Sequence, residues 1–480
     1  MQIRLSDHFT YSRLLRFTLP SVVTMIVASI YSVVDGLFVS NLVGAMALSA
    51  INIAFPVAMI IGAVGFMLGT GGSALVAKTL GEGKKELANQ YFSMLIYSII
   101  GIGAVLTVII LIFVRPIMRL AGASDLLMES SVTYGTILIS GSVPFMLQVS
   151  FQNFFVVNEK PVLGLVLSIA SGVTNMVLDY VFIAVLKMGV AGAGLATVMG
   201  YVVGGAIPLL YFAKKREHGL QLTRTRFYGK QLLQAASNGS SELLSNISAS
   251  LISILYNIQL MKVIGEMGVA AYSVMMYVDF VFLAAFLGFS SGSAPVVSYQ
   301  YGAGNHKELK SVFRKSITII GITSVIMVVV SEAISYPLSA VFVGYDKELL
   351  NMTVHGFRIF ALGYLLSGIN IYASSFFTAL CNGPLSAFLS FTRTLIFRGG
   401  MVLLLPAVLG MDGIWGGYCS CRGTGHGMFP DLFCEKQEKI SLLGKNAIFL
   451  ENLILILYDE MCHDTDKYVK LRKLRRLQRT

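Results

Sequence analysis

From about residue 14 to residue 409 the chain is a succession of long apolar blocks separated by short polar connectors. The apolar residues run together and do not alternate with polar ones. A block of ~20 apolar residues crosses the hydrocarbon core of a bilayer as a helix. The pattern predicts helices at 14–40, 47–77, 90–114, 133–157, 161–186 and 192–212, then at 231–262, 268–300, 316–343, 353–380 and 384–409. These eleven blocks define an all-α polytopic membrane protein. The first block is no cleaved signal peptide: it is too long, it contains Asp35, and no small-residue cleavage site follows it.

The pattern also repeats. After the second block come Gly72-Ser73-Ala74, Gly81-Glu82-Gly83 and Lys85-Glu86-Leu87. After the eighth come Gly292-Ser293-Ala294, Gly302-Ala303-Gly304 and Lys307-Glu308-Leu309, at offsets of 220 to 222. Pro161 opens the fifth block as Pro384 opens the eleventh. The chain therefore reads as two six-helix repeats: 1–212, a basic connector at 213–230, a second half at 231–415, and an atypical tail at 416–480. An even number of helices per copy gives both copies the same orientation, related by an axis along the membrane normal. Secondary transporters are commonly built from such repeats, with the binding site between or within the halves.

Composition narrows the class. Of 480 residues, 55% are hydrophobic and 13% charged, and the mean hydropathy is +0.74. Soluble domains carry ~25% charged residues, so soluble enzymes, disulfide scaffolds and disordered chains are excluded. The net charge of +11 does not point to nucleic acid, because the basic residues cluster in short loops. With the N-terminus inside, inner segments hold seventeen Lys and Arg and outer segments five. That bias orients a protein of the cell membrane with its N-terminus in the cytoplasm. Of five cysteines only Cys381 precedes residue 417, so no disulfide framework is expected.

Charged residues inside spans are costly and face a cavity or a partner. Asp35 lies five to seven residues from the outer end of the first helix. Asn175 and Asp179, four residues apart, share one face of the fifth helix in its outer half. Thr197 lies about five residues inside the outer end of the sixth. Two carboxylates, an amide oxygen and a hydroxyl at one depth form a hard-oxygen set for a small cation. Paired carboxylates also raise one pKa, which suits a proton carrier. In the plainer account, each group is satisfied separately by its neighbours. Glu242, Asp279 and Glu332 are further candidates in the second half, with Arg358, Arg393 and Arg398 as possible partners.

Enzyme motifs fail. Gly288-Phe289-Ser290-Ser291-Gly292 fits G-x-S-x-G but ends a helix with no strand before it. Gly81-Glu82-Gly83-Lys84 lacks the spacing of a nucleotide loop. No resident cofactor is expected, and energy must come from an ion gradient. The pairs Gly65–Gly69 and Gly200–Gly204 mark close helix packing more readily than dimerisation. No obligate protein partner is evident, and a monomer is expected.

Leu19-Pro20 with Val34-Asp35-Gly36-Leu37-Phe38-Val39 resembles the opening of MATE (multidrug and toxic compound extrusion) transporters. Asn175-Met176-Val177-Leu178-Asp179 and Gly192-Ala193-Gly194-Leu195-Ala196-Thr197 resemble their fifth and sixth helices. Pro295 through Tyr301-Gly302-Ala303-Gly304-Asn305 resembles the loop after their eighth. The resemblance, which runs from residue 10 to about 415 and is nearest the bacterial MepA-like branch, implies a V-shaped, two-lobed antiporter. Such proteins exchange Na⁺ or H⁺ for organic cations and amphipathic drugs. It also implies that Asp35, Asn175, Asp179 and Thr197 form a cation site in the first lobe, and it extends a transport role to Glu242 and, more loosely, to Asp279. Competing functions are a flippase for lipid-linked sugars and, in another class, a membrane enzyme or receptor. No H-E-x-x-H, nucleophile motif or soluble domain supports the latter.

The second half departs from the first after Gly413-Ile414-Trp415. Gly416-Gly417-Tyr418-Cys419-Ser420-Cys421-Arg422-Gly423 is polar and glycine-rich, so the twelfth span is lost. Four of the five cysteines follow, but Cys419, Cys421, His426 and Cys434 lack the spacing of paired zinc knuckles. A change of reading frame near residue 416 accounts for both features. The expected outcome is weaker efflux than from the same chain given an apolar twelfth helix; equal dye efflux from liposomes holding either one refutes it.

Overall fold

The structure, a computed structural model, describes residues 3–43, 45–215, 219–344, 346–406, 410 and 413–415. Side chains at 31–42, 45–49 and some later helical positions, Arg393 among them, lie outside that description. The twelfth-span region from Gly416 and the whole expected tail lie outside it as well.

Every described regular element is helical. The first half comprises α1 (Tyr11–Leu42), α2 (Ala45–Gly81), α3 (Lys85–Ile112), a short α4 (Val114–Leu120), α5 (Asp125–Ser140), α6 (Ser142–Val157), α7 (Pro161–Asp179) and α8 (Gly189–Ala213). The second comprises α9 (Gly229–Val263), α10 (Glu266–Gly302), α11 (His306–Val343), α12 (Lys347–Ala361), α13 (Tyr364–Ala379), α14 (Gly383–Phe391) and α15 (Gly399–Leu404). Pro161 and Pro384 stand in the first turns of α7 and α14, where a missing N–H costs no helical hydrogen bond. Asn305 and Asp346 cap α11 and α12 by accepting from backbone N–H groups of the first turn.

Length and apolarity single out seven described helices as membrane spans, or eight if α5 and α6, bent by 51°, are one. Eleven were expected from the blocks, and the other three have identifiable reasons. Helix α9 carries a polar run through Asn238, Ser241, Glu242 and Asn246. The expected span 353–380 is interrupted between α12 and α13, and 384–409 contains a π-helical segment, Thr392–Arg398. The sequence pattern sees composition and not these breaks. A second π-helical segment, Tyr180–Val185, follows Asp179 directly.

Glycines let the helices cross. Helix α1 packs on α10 and α7, and α2 on α9, α6 and α10. A Cβ on Gly239 of α9 would stand 1.9 Å from the Met67 carbonyl oxygen of α2. One on Gly81 would stand 2.1 Å from the Tyr299 oxygen, and one on Gly302 2.0 Å from the Lys78 oxygen. Gly288 and Gly292, the helical part of the apparent hydrolase motif, take Val22, Ser21 and Thr18 of α1 against bare backbone. Gly65 and Gly69 meet Met146 and Ser150 of α6, within the same chain. The loops after α2 and α10 both turn through left-handed glycines, Gly83 (φ 76°) and Gly304 (φ 68°).

An aromatic core fills the first half, with Phe92 edge-on to Phe154 and Phe212 at 4.8 and 5.0 Å. In the second half hydroxyls supplement packing: Ser374 lies 3.0 Å from Ser386 and 2.6 Å from Ser390, and Asn238 donates to the Thr378 carbonyl. Overpacking a tight contact costs about 1–3 kcal/mol. Gly239→Ala is therefore expected to lower the thermal unfolding midpoint in detergent. Gly101→Ala, with nothing within 4 Å, leaves it unchanged. Equal midpoints for the two variants would contradict the crossing.

Candidate functional site

Helix α7 has two unlike faces. Val162, Val166, Ile169, Val173 and Val177 are exposed along one. Gly164, Ser171, Gly172, Asn175 and Asp179 are buried along the other, because spacings of three and four residues return to one side. Asp179 is 0% exposed and Asn175 4%. Neither the nitrogen nor the oxygen of the Asn175 carboxamide has a hydrogen-bond partner. A buried amide left so costs free energy unless something binds there.

Helix α8 backs onto this face through Gly200. A Cβ there would lie 3.1 Å from the Ser171 carbonyl oxygen and 3.2 Å from the Asn175 Cβ. The helices are antiparallel, so Thr197 on α8 and Asp179 on α7 each lie about one turn beyond that contact, toward the same end. Thr197 Oγ1 donates to the Ala193 carbonyl at 3.0 Å, which leaves its oxygen able to accept. Asp35 stands on α1, seven residues from Leu42, and α1 packs on α7; its side chain lies outside the description. Asp179 begins the π-helical segment as its N-cap. Such wide turns recur at functional sites in helices.

In the second half Asp279 is 1% exposed on α10 and Glu242 is half-buried on α9. The Arg398 guanidinium lies 5.6 Å over the Tyr256 ring, which stacks on Tyr272 at 4.9 Å. Both Arg398 and Asp279 act electrostatically on Tyr272. Glu332 pairs with Arg358 at 3.4 Å. The structure thus puts Asn175 and Asp179 on one buried face with Thr197 on the helix packed against it, and pairs Glu332 with Arg358.

Sequence reasoning missed a strap at the N-terminal face. Leu5 and Phe9, both buried before α1, join the apolar cluster around Val296, Val297, Leu309 and Val312. The Leu5 N–H donates to Glu159 Oε1 at 2.8 Å, in the α6–α7 loop. Gln300 Nε2 donates to the Leu5 carbonyl at 2.8 Å, and Lys315 Nζ to the Phe9 carbonyl at 2.5 Å. Glu308 accepts from the Phe9 N–H at 2.8 Å and lies 2.6 Å from His8 Nδ1. Residues 3–9 therefore tie the first half's loop to the start of α11. Two apolar residues in a polar leader were the available signal; their partners, 154 to 306 positions away, were not.

Residues 20–181 and 243–398 match the MatE family. The chain belongs to that family, whose members are transporters and not enzymes. It is 22% identical over 415 residues to the multidrug export protein MepA of Staphylococcus saprophyticus, covering 85% of this chain and 88% of that protein. With MepA of Staphylococcus aureus it shares 21% over 416 residues, 84% and 89% of the two chains. Its fold is that of a multidrug resistance MATE family transporter of the MOP superfamily solved in an outward-facing conformation, at TM-score 0.81 and 23% identity over 91% of this chain and 98% of that one. A MATE solved in complex with MaD3S gives 0.80 at 23% identity, over 86% and 93%. The apolar helices and the family together make the chain an integral membrane protein.

Burial raises the Glu159 pKa, and the Leu5 N–H bond opposes that shift only in part. A raised folded-state pKa means the folded chain holds this proton more tightly than the unfolded one, so stability falls as pH rises through the shifted value. Glu159→Gln keeps an acceptor for Leu5 and removes the charge. In thermal unfolding between about pH 4 and pH 8, the parent should lose stability with rising pH relative to the variant. Parallel curves would remove Glu159 as the cause.

Proposed function

We propose that the chain is a secondary antiporter of the cell membrane, exporting organic cations and amphipathic drugs in exchange for Na⁺ or H⁺. The observation that carries this reading is the fully buried Asp179 beside an Asn175 carboxamide with no hydrogen-bond partner. In this reading Asp179, Asn175, Thr197 and Asp35 hold the cation, and Asp279 with Glu242 face the drug path. The names of the MepA relatives agree with drug export.

The reading includes two six-helix repeats in a V, eleven spans in the described chain, a monomer, and an N-terminus in the cytoplasm. Several observations support the repeat. The family matches twice, starting at 20 and 243. Gly81 meets residue 299 as Gly302 meets residue 78, so both partners shift by the same 221 positions (302 − 81 and 299 − 78). By the Pro161–Pro384 offset of 223, Arg398 stands where Asn175 stands (175 + 223 = 398). A permanent cation at that place leaves the coupling ion a site in the first half alone.

Mechanism follows from the two ends. Cation entering from outside neutralises Asp179 and favours the state in which the drug leaves outward. The strap closes the cytoplasmic face in this arrangement, holding the halves through Glu159, Gln300, Glu308 and Lys315. Opening that face releases the cation inward and admits the next drug. The two ligands compete through conformation, since each binds one facing state better.

Ethidium efflux from proteoliposomes under an imposed Na⁺ or H⁺ gradient tests the reading. One gradient should drive efflux, and Asp179→Asn should lower it by at least about tenfold. Folded protein that exports no dye under either gradient, yet moves lipid-linked sugars across the bilayer, would replace antiport with the flippase function.

A further inference from the structure

Below the Asn175–Asp179 site, the buried face of α7 continues through Ser171 and Ser168 to Gly164, near the cytoplasmic end. Ser168 lies at the centre of that face, ~10 Å along the helix from Asn175 and ~10 Å from Pro161. It is nevertheless only partly buried, because it faces a cavity between α6, α7 and α8. Gln148, Gln152, Gly164, Ser168, Gly204 and Pro208 are among its walls. The empty space is about 200 Å³ including the part that opens outward, and its enclosed part has room only for bodies of water size. An organic cation does not fit.

The walls are mixed: Phe151, Phe155, Leu167 and Pro208 line most of the space with apolar surface, while Gln148, Gln152 and Ser168 bring polar groups to it. Gln148 is 7% exposed, and its Oε1 has no hydrogen-bond partner. Its carboxamide lies in a cradle left by Gly204, where a Cβ would come within 2.6 Å of Gln148 Cδ and 2.9 Å of Oε1. Gln152 Nε2 donates to Ser168 Oγ at 3.3 Å, which leaves the Gln152 carbonyl free to accept. Pro208 lies inside α8 and has no N–H, so the Gly204 carbonyl four residues earlier lacks its helical donor. The unpartnered Gln148 oxygen and the Gln152–Ser168 pair thus give one side of a water-sized space neutral polar groups. An apolar void of this size stays dry, whereas a polar one takes water.

The cavity also connects upward. Gln148 Nε2 donates to Ser171 Oγ at 3.2 Å, and Ser171 Oγ donates to the Gly200 carbonyl at 2.7 Å. Gly200 is the residue that backs onto Asn175. Polar contacts therefore run from Gln148 through Ser171 to the Gly200 carbonyl, one helical contact short of the Asn175 amide, which has no hydrogen bond of its own.

We propose that this cavity is a hydrated, neutral oxygen site on the path by which the coupling cation leaves the Asn175–Asp179 site for the cytoplasm through the first half. The proposal rests on the antiport reading. Neutral oxygens suit a transit point: they replace hydration for a small monovalent cation, or hold water that passes a proton, without the fixed charge that would trap either.

Two measurements on the full chain in liposomes test it. The first compares cation-driven export, read with radioactive Na⁺ and an internal pH dye, against cation-dependent thermal stabilisation of purified protein. Asp179→Asn should remove both. Gly204→Ala and Gln148→Leu should slow cation-driven export by about tenfold while the cation concentration giving half-maximal stabilisation stays within about twofold. The second replaces Ser168 or, as a lipid-face control, Val173 with cysteine and follows modification by a small hydrophilic thiol reagent, located by peptide mass spectrometry. Modification is expected at position 168 and not at 173. If Asp179→Asn changes neither export nor stabilisation, the antiport site itself is wrong. If it removes both while Gly204→Ala and Gln148→Leu export normally, the cavity is off the path, whether or not position 168 reacts. An unreactive thiol at 168 shows a dry cavity and overturns the proposal even where the cavity variants are slow or fail to fold.

Discussion

A carboxylate out of reach of water must be given something else to face, and much of the first half is arranged around that constraint. Isolated in a medium of low dielectric, an ionised Asp179 would cost several kcal/mol. The helix carrying it is apolar on its outer side, so the polar groups gather on its inner face. An unpartnered amide stands one turn away, a glycine brings the neighbouring helix within contact of it, and the regular helix gives way to a wider turn at the carboxylate. None of these features is favourable alone. A buried amide without a partner, a glycine in a helix and a π turn each cost free energy. Together they mark the buried face of α7 as the place where the fold departs furthest from ordinary packing.

The opposite condition holds at the N-terminal face. Water is at hand there, and the strap uses a small apolar anchor with a set of well-matched polar contacts. Both oxygens of Glu308 are engaged, at the start of a helix whose dipole also favours a negative charge. Contacts of this kind break and re-form at modest cost, because water satisfies the same groups once the strap lifts. The two regions therefore differ in kind: one buries an unpartnered amide beside a carboxylate, the other holds a network of matched polar contacts.

Much of the bundle was legible because the bilayer enforces it. Lipid cannot satisfy backbone groups, so an apolar block has little choice but to be helical, and most block limits fall within a few residues of the helices. The breaks at Gly141, between Ala361 and Tyr364, and at Thr392 were not legible, since they depend on what packs alongside: a Cβ at Gly141 would meet Val198 at 2.6 Å. The common face of Asn175 and Asp179 was legible from a spacing of four. Their nearness to Thr197 came from depth alone, and depth cannot say that Gly200 is what joins the helices. The partner of Glu332 was found among the arginines named for it, whereas Arg393 and the side chain of Asp35 lie outside the described residues. The strap was invisible because its partners are 154 to 306 positions distant.

The glycine crossings between α2 and the helices α9 and α10 have one more consequence. Where side chains interlock, two helices can slide or turn only by lifting each ridge over the next. At Gly71, Gly239, Gly81 and Gly302 the contact is main chain against main chain, with no ridge to lift. Such a contact is tight yet smooth, like a journal in its bearing. Resistance to swinging one half against the other then resides at the rims, in the strap and the loops, and the centre contributes little friction. A swing of the halves, as the antiport reading requires, would accordingly be open to adjustment by changes at the rims, while the glycine crossings tolerate almost none.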